Sequence, residues 1–230
     1  MAVEITLDGQ PFAPCVDRGV GKIVCVGRNY AAHAAELNNP VPDEPILFMK
    51  PPTAVSRISP YFSIPVNRGS CHIETEIAIL IGAEIARATD FQANIAIAGV
   101  GIGLDLTLRD VQSELKEKGL PWEKSKAFDG SCPVSGFVSP EKDEDWSAIE
   151  LRMTRNHLLQ QEGRSSDMLT GILPLIGHIT EHFTLMPGDI VLTGTPAGVG
   201  PIEPGDQLQF ELKTQSNNID LAAEVVARTY

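Results

Sequence analysis

The sequence predicts a strand-rich α+β fold, and three observations carry that prediction. Short β-branched runs outnumber helical segments, 17 prolines and 20 glycines cut the chain into short pieces, and no regular strand–helix–strand alternation appears. The runs KIVCVG (22–27), EPILFMK (44–50), IETEIAILIG (73–82), IAGVGIGLDLTL (97–108), DIVLTG (189–194) and DQLQFEL (206–212) read as strands. Three segments read as helices. NYAAHAAEL (29–37) is short and alanine-rich, with Asn29 suited to capping its start. RDVQSELKEKG (109–119) stops at Gly119, with Pro121 beyond it. SSDMLTGILPLIGHITEHF (165–183) has helical spacing interrupted by Pro174. The polar stretch SPEKDEDWSAIE (139–150) is either a boundary or an exposed loop, and one domain is the simpler organisation.

At 230 residues the chain is long enough to bury roughly 70% of its unfolded surface without staples. The net charge of −12 repels phosphate backbones, so no nucleic-acid partner is expected. It leaves room for an anionic small substrate, provided that a metal or a lysine cluster inverts the sign inside a cleft. Cys15, Cys25, Cys71 and Cys132 form no C-x-x-C pair, which suits a reducing compartment. The N-terminal residues lack a signal-peptide pattern and no apolar run reaches the ~20 residues of a membrane span. A cytoplasmic protein with no membrane partner is therefore expected.

The chemistry concentrates in acids placed where acids are costly. In a strand, residues two apart share a face, so Glu74 and Glu76 project together with Ala78 and Leu80, opposite Ile73, Ile77, Ile79 and Ile81. Two adjacent buried carboxylates need a cation or a proton. A hard divalent ion meets that need, and so do arginine or lysine partners at a wet strand end. Asp105, between Leu104 and Leu106, is a third acid in an apolar run. Three carboxylates completed by water suit Mg²⁺ or Mn²⁺, with His72 as a fourth ligand or, more simply, a neighbour of the site.

Other groups have two readings each. His33 and Glu36, three apart on a short helix, make either an oriented general base or a surface pair. Lys124 and Lys126 are either solvated or aimed at a developing oxyanion, and Lys50 ends an apolar run that could point it inward. GDIVLTGTPAGVG (188–200) lacks the ending of a phosphate-binding loop, and Gly99, Gly101 and Gly103, spaced by two, fit close strand packing better than a nucleotide fingerprint.

Taken in order, VGRNYAAHAAEL, LFMKP, ETEIAILIG, GLDLTLRDVQ, KGLPWEKSKAFDGSCPVSGF, QEGRSSDML and GDIVLTGTPAGVGP resemble the fumarylacetoacetate hydrolase family, in its acylpyruvase and oxaloacetate decarboxylase branch. The resemblance implies a mixed β-sandwich roll of the type found in that family's C-terminal domain, with residues 1–21 as a lead-in and 22–230 as one catalytic domain. It places metal ligands on Glu74, Glu76 and Asp105, a catalytic dyad on His33 and Glu36, and the oxyanion lysine on Lys126 rather than Lys124. Substrate contacts are implied at Arg109, Gln112 and Thr195, with Arg28 and Lys50 as further candidates. Close relatives often carry a second histidine where this chain has Ile73. The implied cofactor is Mg²⁺, with Mn²⁺ or Ca²⁺ as substitutes. The implied partners are a 2-oxo or 2,4-dioxo acid substrate and a second copy in a homodimer. The implied reaction is hydrolysis of the C–C bond of an acylpyruvate through a pyruvate enolate held at the metal. Oxaloacetate decarboxylation or keto–enol exchange on the same site is the alternative, and a non-catalytic metal-binding protein is the reading from another class.

Overall fold

The computed structural model describes residues 3–16, 18–36 and 42–229, with the side chains of His33, Ala34 and Ala35 also outside the description. In chain order come β1 (Thr6–Leu7), β2 (Gln10–Pro11), α1 (Ala13–Val16), β3 (Ile23–Gly27), α2 (Ala31–Glu36), β4 (Ile46–Lys50), β5 (Val55–Arg57) and β6 (Tyr61–Pro65). Then follow β7 (Cys71–Ile73), β8 (Thr75–Ile81), α3 (Asp90–Ala96), β9 (Ile97–Leu104), β10 (Thr107–Leu108), α4 (Arg109–Glu117), α5 (Glu123–Lys126) and β11 (Cys132–Val134). The remainder is β12 (Glu150–Arg155), β13 (Leu158–Arg164), α6 (Ile172–His182), β14 (Ile190–Leu192), β15 (Gly200–Pro201), β16 (Gln207–Lys213) and β17 (Asn218–Arg228). The strand-rich α+β class expected from the sequence is what the chain adopts.

A mixed seven-stranded sheet, in the order β4-β3-β14-β8-β9-β11-β5, carries the site. Its β3–β14 and β11–β5 pairs are parallel and the rest antiparallel. Both faces are covered, because alternate residues of one strand enter different cores. On β8, Ile77, Ile79 and Ile81 join the larger core, while Ala78 and Leu80 join a second one with Ile23, Cys25, Ile190 and Leu192. The glycines of β9 lie on the side facing the smaller core, where a Cβ at Gly103 would come 2.4 Å from Leu192 Cδ2. That is the close packing their spacing suggested. A five-stranded sheet (β13-β12-β16-β17-β6) and a small sheet (β10-β7-β15) complete the main frame.

Two predicted strands are shorter than the sequence implied, and the shortening matters. The run from 73 to 82 breaks at Glu74: β7 belongs to the small sheet and β8 to the large one. The run from 97 to 108 breaks in the same way at Asp105, between β9 and β10. Since β7 pairs with β10 and β8 with β9, the two strands change sheets side by side, and Asp105 N donates to Glu74 O across the corner at 2.8 Å. Local propensity favours continuous strands here, and the non-local pairing overrides it.

The helices hold with adjustments. Pro174 is the third residue of α6, in the first turn where a missing N–H costs nothing. Gly119, at φ +63°, ends α4 as expected. Asn29 does not cap α2. Its side chain is buried and ties three backbone groups, donating to Thr170 O and Thr193 O at 2.9 Å each and accepting from Thr170 N at 2.8 Å. Residues 139–149 form a loop, fastened by Trp146 Nε1 to Asn94 Oδ1 at 2.7 Å.

Candidate metal centre and active-site cleft

The paired corners bring Glu74, Glu76 and Asp105 together. One carboxylate oxygen of each lies within 4.8 Å of the others, and the residues are 5%, 1% and 1% exposed. Glu74 and Asp105 also have basic partners. Lys126 Nζ is 2.8 Å from Glu74 Oε2 and 2.5 Å from Asp105 Oδ2, and Arg109 donates to Glu74 Oε1 at 2.5 Å. The basic-partner reading of the acid pair therefore applies at Glu74. Glu76 is different. Its Oε2 accepts from Gly194 N at 2.6 Å, and no lysine or arginine among the described residues pairs with it. Burial, then Asp105 and Glu74, push its carboxyl well above the usual carboxylate range. A positive ion beside these oxygens would remove that penalty.

The donor set fits a hard divalent cation. All three groups offer oxygen, the donor type Mg²⁺ and Mn²⁺ take. Asp105 Oδ1 is buried with no hydrogen-bond donor among the described residues, since the Lys50 ammonium 2.8 Å away is ion-paired to it without hydrogen-bond alignment. His72 sits on β7, half-buried, and does not belong to the group of converging ligand atoms.

The lysines separate clearly. Lys124 is exposed, whereas Lys126 is 3% exposed at the floor of the site. Burial opposes its charge, but Asp105 and Glu74 outweigh burial and push its ammonium up to about 12. Lys50, proposed from sequence as a substrate contact, is spent on the protein itself. It is 1% exposed, donates to the carbonyls of Lys126 and Ser131 and to Ser131 Oγ, and pairs with Asp105. Its place is that of a support for Asp105 and Lys126.

A narrow cleft of about 50 Å³ opens over the acids, lined by Arg28, Arg109, Gln112, Lys116, Lys126 and Thr195, with Phe48 and Trp122 as an aromatic wall. Gln112 Oε1 accepts from Arg109 at 2.6 Å, leaving the amide N–H groups of Gln112 to donate. Thr195 donates its hydroxyl to Thr75 O at 2.9 Å and accepts from Gln161 Nε2 at 2.8 Å, so that Gln161 fixes this wall. Gln161 opens the QEGRSSDML stretch, but no role was assigned to it from the sequence. Lys116 was also missed, although a signal existed: positions 109, 112 and 116 form one stripe on α4.

The dyad is described only in part. α2 carries both positions, but the side chain of His33 lies outside the described residues. Both oxygens of Glu36 accept from Gly198 N at 3.2 Å, which ties α2 to the loop after β14.

A family description for the C-terminal part of fumarylacetoacetate (FAA) hydrolase matches residues 22–225. The chain belongs to the fumarylacetoacetate hydrolase family. Within that family it is 50% identical over 194 residues to the oxaloacetate tautomerase YcgM of Escherichia coli, covering 84% of this chain and 89% of that protein. A crystal structure from Oleispira antarctica superposes with a TM-score of 0.93 at 53% identity, covering 97% of this chain and 100% of the other. Fumarylpyruvate hydrolase from Pseudomonas aeruginosa, solved in complex with Mn²⁺ and pyruvate, superposes with a TM-score of 0.86 at 30% identity, over 99% and 97%. Membership makes the chain a relative of enzymes, one of which was solved with Mn²⁺, and no helix among the described residues is long and apolar enough to cross a membrane.

Proposed function

We propose that this protein is an oxaloacetate keto–enol tautomerase that works with a divalent cation, Mg²⁺ first and Mn²⁺ as a substitute. One observation carries the reading: half of the aligned residues are identical to those of an oxaloacetate tautomerase, over nearly its whole length. Acylpyruvate hydrolysis, which the sequence placed first because the chain keeps both dyad members, has weaker support than this alternative. The chemistry explains why the dyad does not discriminate. A base that can take a proton from water can equally take one from C3 of a 2-oxo acid. Tautomerisation needs only that transfer, whereas hydrolysis adds a positioned water and a broken carbon–carbon bond.

Glu74, Glu76 and Asp105 hold the cation, which supplies Lewis acidity to the 2-oxo group when bound. His33, oriented by Glu36, moves the proton at C3. Lys126 stabilises negative charge developing on the enol oxygen. Arg109 and the free amide of Gln112 orient the substrate carboxylate, and Thr195 shapes the wall beside it. A homodimer, implied by the family resemblance, would run at twice the 24.8 kDa chain mass in light scattering.

The test follows enol oxaloacetate by its ultraviolet absorbance with Mg²⁺-loaded protein, while pyruvate release is measured in parallel from oxaloacetate and from acetylpyruvate. Enol decay that outruns both pyruvate signals is the expected result. Pyruvate release from acetylpyruvate at the faster rate would restore the hydrolase, and release from oxaloacetate at the same rate as enol decay would make the protein a decarboxylase.

A further inference from the structure

The start of β8 lies between two of the three acids, and side chains take over there from a neighbouring strand. β14 pairs with β8 from Leu80 to Ala78 and ends at Leu192. The β8 backbone still needs partners beyond that point, because a buried amide or carbonyl left alone is costly. Thr193 donates to Ile77 O through its N at 3.2 Å and through its hydroxyl at 2.9 Å. One pair further, Thr195 donates its hydroxyl to Thr75 O at 2.9 Å, and Thr75 N donates to Gln161 Oε1 at 3.0 Å. Thr75 is the residue between Glu74 and Glu76, and it is wholly buried.

Gln161 closes this arrangement into a ring. It is the one buried residue of β13, at 1% exposure. Its amide has a single orientation. Oε1 must face Thr75 N, which can only donate, and Nε2 must face Pro196 O, which can only accept, at 3.1 Å. The other N–H of the amide goes to the Thr195 hydroxyl at 2.8 Å, and that hydroxyl donates in turn to Thr75 O.

The local shape of β13 delivers this side chain. Met153 of β12 pairs with Gln161 and Thr154 with Leu159, so Gln160 is an extra residue without a partner, a β-bulge. Successive side chains of a regular strand point to opposite faces. Here Gln160 Nε2 reaches Gly198 O at 3.1 Å while Gln161 reaches Thr195 and Pro196. The bulge thus turns both glutamines onto the loop after β14, whose Gly194 N donates to Glu76 Oε2.

We propose that Gln161 is a positioning residue of the metal centre. By locking the Thr75 backbone to Thr195, it holds Glu74 and Glu76 in the arrangement that a divalent cation takes. Gln161 does not line the cleft, so it acts through Thr75 and Thr195 and not on the substrate. The role rests on the metal reading of the acids, and not on which 2-oxo acid is turned over. Partners that orient metal ligands from behind change metal affinity by about 10- to 100-fold when they are removed.

The experiment measures Mg²⁺ binding by calorimetry, and denaturant unfolding without metal, on the full chain. Wild type is compared with Gln161→Met, which keeps the side-chain length without its hydrogen bonds, and with Thr195→Val, which keeps the shape without the hydroxyl. Each substitution is expected to weaken Mg²⁺ binding about tenfold or more. The double variant should bind within about threefold of the weaker single variant, since both changes break one ring. Variants that bind Mg²⁺ as tightly as wild type, with only the unfolding midpoint lowered, would overturn the role and leave Gln161 a packing residue. Losses that multiply in the double variant would overturn the ring. If Gln161→Met does not fold, Thr195→Val breaks the same ring at another corner and decides by the same criterion. A wild type that binds no Mg²⁺ would remove the metal reading together with this role.

Discussion

Among the described residues two groups of side chains could hold a metal ion, and they differ in almost every physical respect. Glu74, Glu76 and Asp105 come from two strand corners, are buried, and share their oxygens with Lys126, Lys50 and Arg109. His178, Glu181 and His182 lie one turn apart on the last part of α6, partly or fully exposed, with the two imidazole rings in edge contact at 5.2 Å. The helical group is a product of spacing alone: positions i, i+3 and i+4 always share a face. Water satisfies it, and the helix C-terminus adds a mild attraction for cations. The buried group must be compensated, because among the described residues Glu76 has no basic partner and Asp105 Oδ1, though ion-paired to Lys50, has no hydrogen-bond donor. Proximity of ligand atoms does not distinguish the two groups; the cost of leaving them without an ion does.

The comparison breaks most decisively if the buried group is dispensable. Chelation, or Glu76→Ala, should lower tautomerisation by about a thousandfold or more, as expected for several kcal/mol of lost Lewis-acid stabilisation. Mg²⁺ should restore the chelated enzyme, and His178→Ala with His182→Ala should leave the rate within about twofold. Activity that survives chelation would remove the distinction. His33→Ala should cost about 10²–10⁴-fold, the range for a general base, with Mg²⁺ affinity in calorimetry unchanged. A matching loss of metal affinity would move His33 from proton transfer to the metal.

Lys50→Met sharpens the comparison from the stability side. Removing one partner of a buried pair costs about 3–5 kcal/mol, so denaturant unfolding of the metal-free protein should show a loss of that order. The loss should be smaller with Mg²⁺ present, because the ion takes over the charge of Asp105. The surface group makes a weaker prediction of its own. With Mg²⁺ filling the acidic site, Zn²⁺ or Ni²⁺ should still bind once per chain by calorimetry, since nitrogen donors suit these ions, and the double alanine variant should lose that binding.

The smallest effect concerns pH. Burial pushes the Cys71 and Cys132 thiols up to about 12, from an ordinary 9.0. A group whose folded pKa is raised loses stabilisation as pH climbs through its unfolded value, so stability should fall from about pH 9 upward and be flat below it. Alkylation of these thiols at pH 8 should therefore be slow in folded protein. Rapid labelling without unfolding would contradict their burial.

Much of this site was legible before the fold. Acids in apolar runs are conspicuous, and Glu74, Glu76 and Asp105 do converge. What the runs concealed is that two of the acids, Glu74 and Asp105, sit at breaks between strands. Whether a β-branched run continues past residue 74 or 105 depends on which strand lies beside it, and that information is not local. Lys50 was misplaced for a related reason. An inward-pointing lysine was a fair expectation at the end of β4, but its target, Ser131 and the Lys126 carbonyl, is about 80 residues away. Asn29 looked like a helix cap because it precedes alanines, and only the tertiary contact to Thr170 gives it another task. Gln161 opens a stretch that carries the family resemblance, but nothing local marks its task, since it is one polar residue of an edge strand that reaches Thr195 and Thr75.

The short loop after β14 touches Glu76 through Gly194 N and Glu36 through Gly198 N, four residues apart. One peptide segment thus connects an acid of the candidate metal centre to the helix that carries the proposed proton carrier. Lengthening or shortening it by a single residue would disturb both contacts at once. Attempts to redirect this enzyme to new acids should therefore redesign the mouth of the cleft and leave that segment at its native length.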